Sequence, residues 1–380
     1  MGMPSIEIVF KQLAVSAIAR SQRGVAGVIM VDDTVGADKI TKKTYLRETD
    51  IDKTLYTAAN LRIIKRMFLV AVNKVVIISI GSQVDFAEAL KLIRKVKLNY
   101  ICTTAADKQQ ELANAVLAYN SEFQGRKIKG VVYKVTVADD KHIINCKNED
   151  LIENVTDSDG NATTEAIKMR DYLPRITSVL ANLPMNRSIT YYVFEDLAEV
   201  DDLTDVESSI TNDSLIDDGW FILVNDDEEV RAARGVNSLT SFTSTDSEDM
   251  SKIIIVESMD LIIEDIYTTF KEKYIGKYKN YYDNQILFIC AVNSYFKVLE
   301  DEEILDPNYT GNDDLGTTGN MAYIDVEAQR NAWLGVGKAA AADWSDEKVR
   351  EMSFKSKVFL AGNVKILDAV EDLRFVITME

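Results

Sequence analysis

The 380-residue chain has one histidine, three cysteines and four prolines, and no long apolar run. Each scarcity removes a class of function. His142 is the sole imidazole, and no motif sets a serine or cysteine beside it. A Ser-His-Asp or Cys-His site is therefore unsupported, and His142, within an expected strand, reads as structural. Cys102, Cys146 and Cys290 are far apart and odd in number, so they read as buried thiols in a reducing compartment without metal-ligand spacing. Few prolines among 47% apolar residues indicate a folded protein and not a disordered one. The longest apolar region, residues 67–80, is interrupted at Asn73 and Lys74 and is too short to span a bilayer. No basic-then-apolar segment opens the sequence, and Ile6 stands where a myristoylation signal needs Ser or Thr, so residence in the cytosol where it is made is expected. Phosphate-binding loops are missing too. No Gly-x-Gly-x-x-Gly follows an expected strand, and Gly311–Thr318 has P-loop glycine spacing but Thr317 in place of the lysine. Asp157, Asp159 and Asn161 begin like a calcium loop, yet position six is Ala162 and position twelve Lys168. Nothing in the residues points to catalysis, a cofactor or a metal.

Charge is unevenly spread. The net charge of −18 argues against nucleic acid, whose phosphates repel such a surface. Residues 195–249 carry 17 Asp and Glu against two Arg, a net of −15, whereas residues 1–100 carry 16 Lys and Arg against nine acids, a net of +7. Attraction between opposite regions of adjacent subunits competes here with plain solvation of two charged faces.

Both ends of the chain read as strands. Leu373, Phe375, Ile377 and Met379 alternate with Arg374, Val376, Thr378 and Glu380, a period of two that lays one apolar row on one face. Ile6, Ile8 and Phe10 do the same against Ser5, Glu7 and Lys11. Each strand pairs with its own domain's sheet or is donated to a neighbouring copy. Between them, strands expected at 27–31, 75–80, 99–103, 129–137 and 142–146 alternate with helices at 52–67, 84–97 and 108–123, the last with Asp107 and Gln110 spaced as a capping box. That alternation implies helices covering a mostly parallel sheet. Residues 154–164 read as a loop, 165–182 as a helix, 189–194 as a strand, and the acidic tract after it as a domain boundary. Beyond it come a hairpin around residues 225–228, helices to about residue 273 and over 286–299, a loop at 306–320, a helix at 345–356 with Ser345 as N-cap, and a hairpin turning at 361–363.

Five segments together resemble a known family. Met3-Pro-Ser-Ile-Glu-Ile-Val-Phe-Lys11 with Ala19-Arg-Ser-Gln-Arg-Gly-Val25, then Ala233-Arg-Gly-Val-Asn-Ser-Leu-Thr240, Tyr274-Ile-Gly-Lys277 and Lys357-Val-Phe-Leu-Ala-Gly-Asn-Val-Lys-Ile-Leu-Asp368, are similar to the contractile tail sheath proteins of myovirus-type phages and phage-tail-like bacteriocins. The resemblance covers the N-terminal arm and most of residues 215–380. It implies an N-terminal arm and linker at 1–27, a variable α/β domain at 28–198, a conserved α+β sheath core domain at 199–367, and a C-terminal linker and arm at 368–380. It also implies a non-enzymatic subunit that stacks as rings around a tail tube, meets baseplate and tail terminator proteins, and is assembled in the bacterial host cytoplasm into a virion or bacteriocin particle. The subunit needs no cofactor, nucleic acid or membrane insertion. By the same resemblance Ile6, Ile8 and Phe10, and Leu373, Phe375, Ile377 and Met379, belong to subunit interfaces, and Lys348, Arg350 and Lys355 face the tube. The competing reading is a cytosolic flavodoxin-like enzyme or ligand-binding protein.

Overall fold

The structure, a computed structural model, describes residues 17–21, 23–156, 160–311 and 318–378. They divide into two compact units, those within Ser21–Glu264 and Asp368–Glu380 and those within Met1–Arg20 and Asp265–Leu367.

In the larger unit β1 (Val25–Val31), β2 (Ile40–Tyr45), β3 (Lys74–Ile80), β4 (Tyr100–Thr103), β5 (Lys129–Tyr133) and β6 (Ile143–Cys146) come in turn with the helices α1 (Ala58–Arg66), α2 (Phe86–Ile93) and α3 (Gln109–Glu122). A two-residue strand further on, Trp220–Phe221, completes a seven-stranded sheet that runs from it through β6, β5, β4, β1 and β3 to β2. Every pairing is parallel except that of β2 with β3. The central strands are buried on both faces because apolar residues fall on both sides of each. Ala26, Val28, Met30, Val75 and Ile77 enter one core, and Val25, Ile29, Val76, Ile78 and Ile80 the other.

Several local expectations are corrected here. Helix α1 starts at Ala58 and not near residue 52, because Thr57 takes the N-cap and accepts from Asn60 N–H. Asp107 caps nothing; α3 is preceded by a 3-10 turn, and Gln109 Nε2 instead donates to Thr103 O and Ala105 O. The expected loop at 154–164 and the head of the expected helix at 165 are a hairpin, β7 (Asp150–Thr156) with β8 (Ala162–Lys168), and α4 (Met169–Asn182) follows. The strand expected at 189–194 is reduced to a bridge between Val193 and Arg231.

The compact units also divide the chain differently from the sequence boundary at 198/199. After β9 (Leu197–Val200), which pairs with β7, and α5 (Asn212–Asp217), the strand Trp220–Phe221, here β10, joins the main sheet. A hairpin of β11 (Leu223–Asp226) and β12 (Glu229–Ala232) follows. The acidic composition of this region suggested a domain boundary, but Leu197, Val200, Phe221, Leu223, Val230 and Ala232 carry it into the larger core. The division falls instead inside α6 (Ile253–Thr269).

The smaller unit holds α7 (Tyr282–Asp301), β13 (Met321–Ile324), α8 (Val326–Gly335), α9 (Asp346–Glu351) and β14 (Leu360–Asn363). Ser345 caps α9 as expected, its hydroxyl accepting from Lys348 N–H. The expected hairpin turning at 361–363 does not form. Those residues are themselves β14, paired antiparallel with β13. Alanine, glycine and asparagine read locally as a turn, and a partner nearly forty residues earlier makes them a strand.

Candidate interaction surfaces

The C-terminal segment is clamped at its root and bare beyond it. Glu371, with a side chain 5% exposed, accepts from Thr190 Oγ1 at 2.6 Å and lies 3.2 Å from Lys252 Nζ and 3.5 Å from Arg234 Nε. Arg234 also donates to both oxygens of Asp372, and Lys252 pairs with Asp368. Desolvation works against the Lys252 charge, but Asp368 and Glu371 outweigh it and hold its pKa above the ordinary value. Past this clamp Leu373, Phe375, Val376 and Ile377 are 88, 75, 72 and 72% exposed. No strand partner meets residues 373–378 among the described residues. Met379 lies outside the described residues, as do Ile6, Ile8 and Phe10.

The described N-terminal stub is fixed on the smaller unit. Ile18 is buried, Ala19 N–H donates to Thr269 Oγ1 at 3.0 Å, and Arg20 reaches Tyr295 Oη, Asp265 and Glu302. Tyr295 donates to the buried Asp265 at 2.7 Å, and burial together with that carboxylate raises its pKa.

One sheet edge in the smaller unit is open. Asp325 N–H donates to Phe359 O, which fixes the hydrogen-bonded pairs of β13 and β14 at every second position, Tyr323 with Ala361 among them. The N–H and C=O groups of Ala322, Ile324, Leu360 and Gly362 therefore point outward. On β13 the Asn293 amide covers this edge, accepting from Ala322 N–H at 2.7 Å and donating to Ala322 O at 3.3 Å. On β14 the outward groups of Leu360 and Gly362 meet no partner among the described residues.

Lys348, Arg350 and Lys355 are all exposed and come from one short stretch. Lys348 Nζ lies 5.4 Å from the Trp344 ring centroid, and Lys355 Nζ 5.3 Å from that of Phe354. Sequence reading missed what holds this stretch: Gln329 donates to Val349 O, and Arg330 donates to Ala341 O and Trp344 O and pairs with Asp346.

A buried charge cluster in the larger unit also escaped sequence reading. Glu257, Asp260 and Glu264 recur along one side of α6. Lys129 Nζ lies 2.7 Å from Glu257 and 2.5 Å from Asp260, Lys97 lies 2.7 Å from Glu264, and Arg23 pairs with Glu257. His142 stands between Asp140 and Asp260, at 3.3 and 3.4 Å, which accounts for the only histidine as structural. Burial lowers the His142 pKa, but the two carboxylates outweigh it and leave it raised. Cys102 and Cys146 are buried as expected, whereas Cys290 is exposed.

The parallel strands have the flavodoxin-like order, with the chain reversing direction between β1 and β4, where such folds bind ligands. Past the ends of β1 and β3, Asp32 accepts hydrogen bonds from Thr34, Thr57 and Asn60, and the backbone of Gly36 and Ala37 lies within 2.5 Å of where a Cβ on Gly81 would sit. No group of three or more metal-ligating side chains occurs among the described residues, and no described helix is long and apolar enough to cross a membrane.

Comparison with known proteins agrees with this picture. Residues 245–332 match the family model of the phage tail sheath C-terminal domain. The chain is 31% identical over 387 residues to the tail sheath protein of Clostridium phage phiCD119, covering 100% of this chain and 99% of that one. Its fold is similar to that of the sheath tail protein from Desulfitobacterium hafniense, with a TM-score of 0.64, 14% identity and 84% and 94% of the two chains covered. It is also similar to the helical sheath of the anti-feeding prophage in the contracted state, with a TM-score of 0.65, 12% identity and 100% of both chains covered.

Proposed function

The chain belongs to the phage tail sheath protein family, and on that premise we propose that it is a structural, non-enzymatic subunit of a contractile sheath. The observation that carries this is a relationship running the whole length of both chains. The subunit polymerises as stacked rings around a tail tube in a metastable extended state and contracts to drive the tube through a target envelope. New subunit contacts in the contracted packing supply the energy, and no nucleotide is hydrolysed.

The arms hold the copies together by adding strands to the sheets of neighbours. The bare row at Leu373, Phe375 and Ile377 and the open edge at Leu360 and Gly362 support such an exchange. Ile6, Ile8, Phe10 and Met379 extend the same two interfaces. Each arm alone is a weak bond, because ordering it costs about 1–2 kcal/mol per residue in backbone entropy. Many arms in a mesh act together, since each held strand raises the effective concentration of the next. Lys348, Arg350 and Lys355 line the inner surface against the tube. Baseplate and tail terminator proteins meet the ends of the polymer, which is assembled in the host cytoplasm and resides in the virion or bacteriocin particle.

Electron microscopy and size-exclusion chromatography of the purified chain test this directly. Rings or long tubes are expected, and a small closed oligomer at all concentrations refutes it.

A further inference from the structure

The smaller unit contains an apolar cleft that its own described residues leave unfilled. Helix α6 ends in a π-helical turn, Phe270–Tyr274, a geometry that recurs at functional sites. The turn stacks Phe270 on Tyr274 with centroids 6.1 Å apart and sets both against Phe288 of α7, at 5.1 and 4.6 Å. These rings line a cleft of about 440 Å³ together with Gln285, Lys355 and Val358. Ile275, also in its lining, is 60% exposed. Tyr274 Oη and Gln285 Oε1, from two lining residues, are buried without a hydrogen-bond partner, one able to donate and the other to accept. Buried polar atoms in this state are uncommon and point to a missing partner. Lys355, in the lining, holds a left-handed φ of +47°, a strained conformation that clusters at binding sites.

We propose that this cleft receives Phe375 from the C-terminal segment of a second copy of the chain, and that this side chain sets the register of the donated strand. The inference rests on the strand donation proposed above. Val358, in the cleft lining, is two residues before Leu360, so the strand with the open edge begins beside the cleft. Pairing along an edge with only Leu360 and Gly362 free specifies register weakly, and a slip of one residue would turn the whole row to the wrong face. A single ring held in an aromatic pocket removes that ambiguity. Phe375 is the one aromatic residue of the described C-terminal segment and is 75% exposed in the single chain. In an extended strand Arg374 projects to the opposite side, away from Lys279 and Lys355 in the cleft lining. Tyr274 Oη then donates to a carbonyl of the incoming strand, and Gln285 Oε1 accepts one of its N–H groups.

The test places the photo-cross-linker p-benzoylphenylalanine at position 375 of the full chain. Polymers formed from isotopically labelled and unlabelled copies are irradiated, and the cross-linked peptides are mapped by mass spectrometry. Cross-links from one copy to residues 270–288 or 355–358 of another are expected. Phe375→Val, which keeps a strand former and loses the ring, should raise the concentration needed for polymerisation about tenfold or more. Tyr274→Phe should raise it by about two- to tenfold. Deleting residues 373–380 separates the two levels of the argument. If the deleted chain still polymerises, strand donation itself is wrong. If deletion abolishes polymers while Phe375→Val assembles at the wild-type concentration and the cross-links map elsewhere, strand donation stands and the anchor is refuted.

Discussion

Replacing Lys129 by methionine tests how α6 is fixed to the parallel sheet. The Lys129 side chain is 3% exposed, and its ammonium group lies between Glu257 and Asp260. Burial brings its pKa down to about 8 against the pull of Asp260. Burial also works to raise Asp260, but Lys129 and His142 outweigh it and hold that carboxyl below its usual range. Removing the ammonium leaves two buried carboxylates with only Arg23 and His142 to answer them. Breaking a buried pair in this way costs about 3–5 kcal/mol. At about 2–4 °C per kcal/mol for a unit of this size, Lys129→Met should lower Tm by roughly 6–20 °C. Adding Asp260→Asn should recover most of the loss, because Glu257 then keeps Arg23 and His142 keeps Asp140. Differential scanning calorimetry of unpolymerised protein at fixed salt is the assay. A single variant melting within about 2 °C of wild type, or a double variant no more stable than the single one, would refute the reasoning.

Deleting residues 1–11 or 373–380 should leave a folded chain that cannot polymerise, and Ile8→Asp and Ile377→Asp should copy the deletions; circular dichroism melting beside electron microscopy decides, and loss of fold or retention of ordered sheaths contradicts the arm assignment. Reversing charge at Lys348 and Arg350 should impair assembly on tubes and spare tube-free polymerisation, and equal effects on both sink the tube-facing assignment. Glu371→Gln should loosen the C-terminal root by about 1–3 kcal/mol, because Lys252 and Arg234 lose a buried partner. Faster deuterium uptake over residues 368–372 is the expected sign, and unchanged uptake shows that Asp368 and Asp372 suffice.

What the sequence determined by itself was local or negative. The apolar run at 75–80 had to be a strand buried on both faces, Ser345 had to cap a helix, and the missing glycine loops and solitary His142 argued against the common catalytic classes. The alternating row at Leu373, Phe375 and Ile377 was visible as a row because period two needs no partner to be read. The five segments quoted above carried the family. Tertiary structure decided every feature that depends on a distant partner. Residues 361–363 have turn chemistry, and pairing with Met321–Ile324 makes them β14. The acidic region after residue 195 looked like a domain boundary, and burial of Phe221, Leu223 and Val230 among residues far earlier in the chain puts it in the larger core. Glu257, Asp260 and Glu264 have the spacing of any helix face; only the approach of Lys129, more than a hundred residues away, makes them a buried ionic cluster. The same holds for the Phe270, Tyr274 and Phe288 cleft, whose rings come together through a π-helical turn that no local propensity announces. Periodicity fixes which side of an element is apolar, but the identity of what covers that side is set by long-range packing, and a one-dimensional pattern does not carry it.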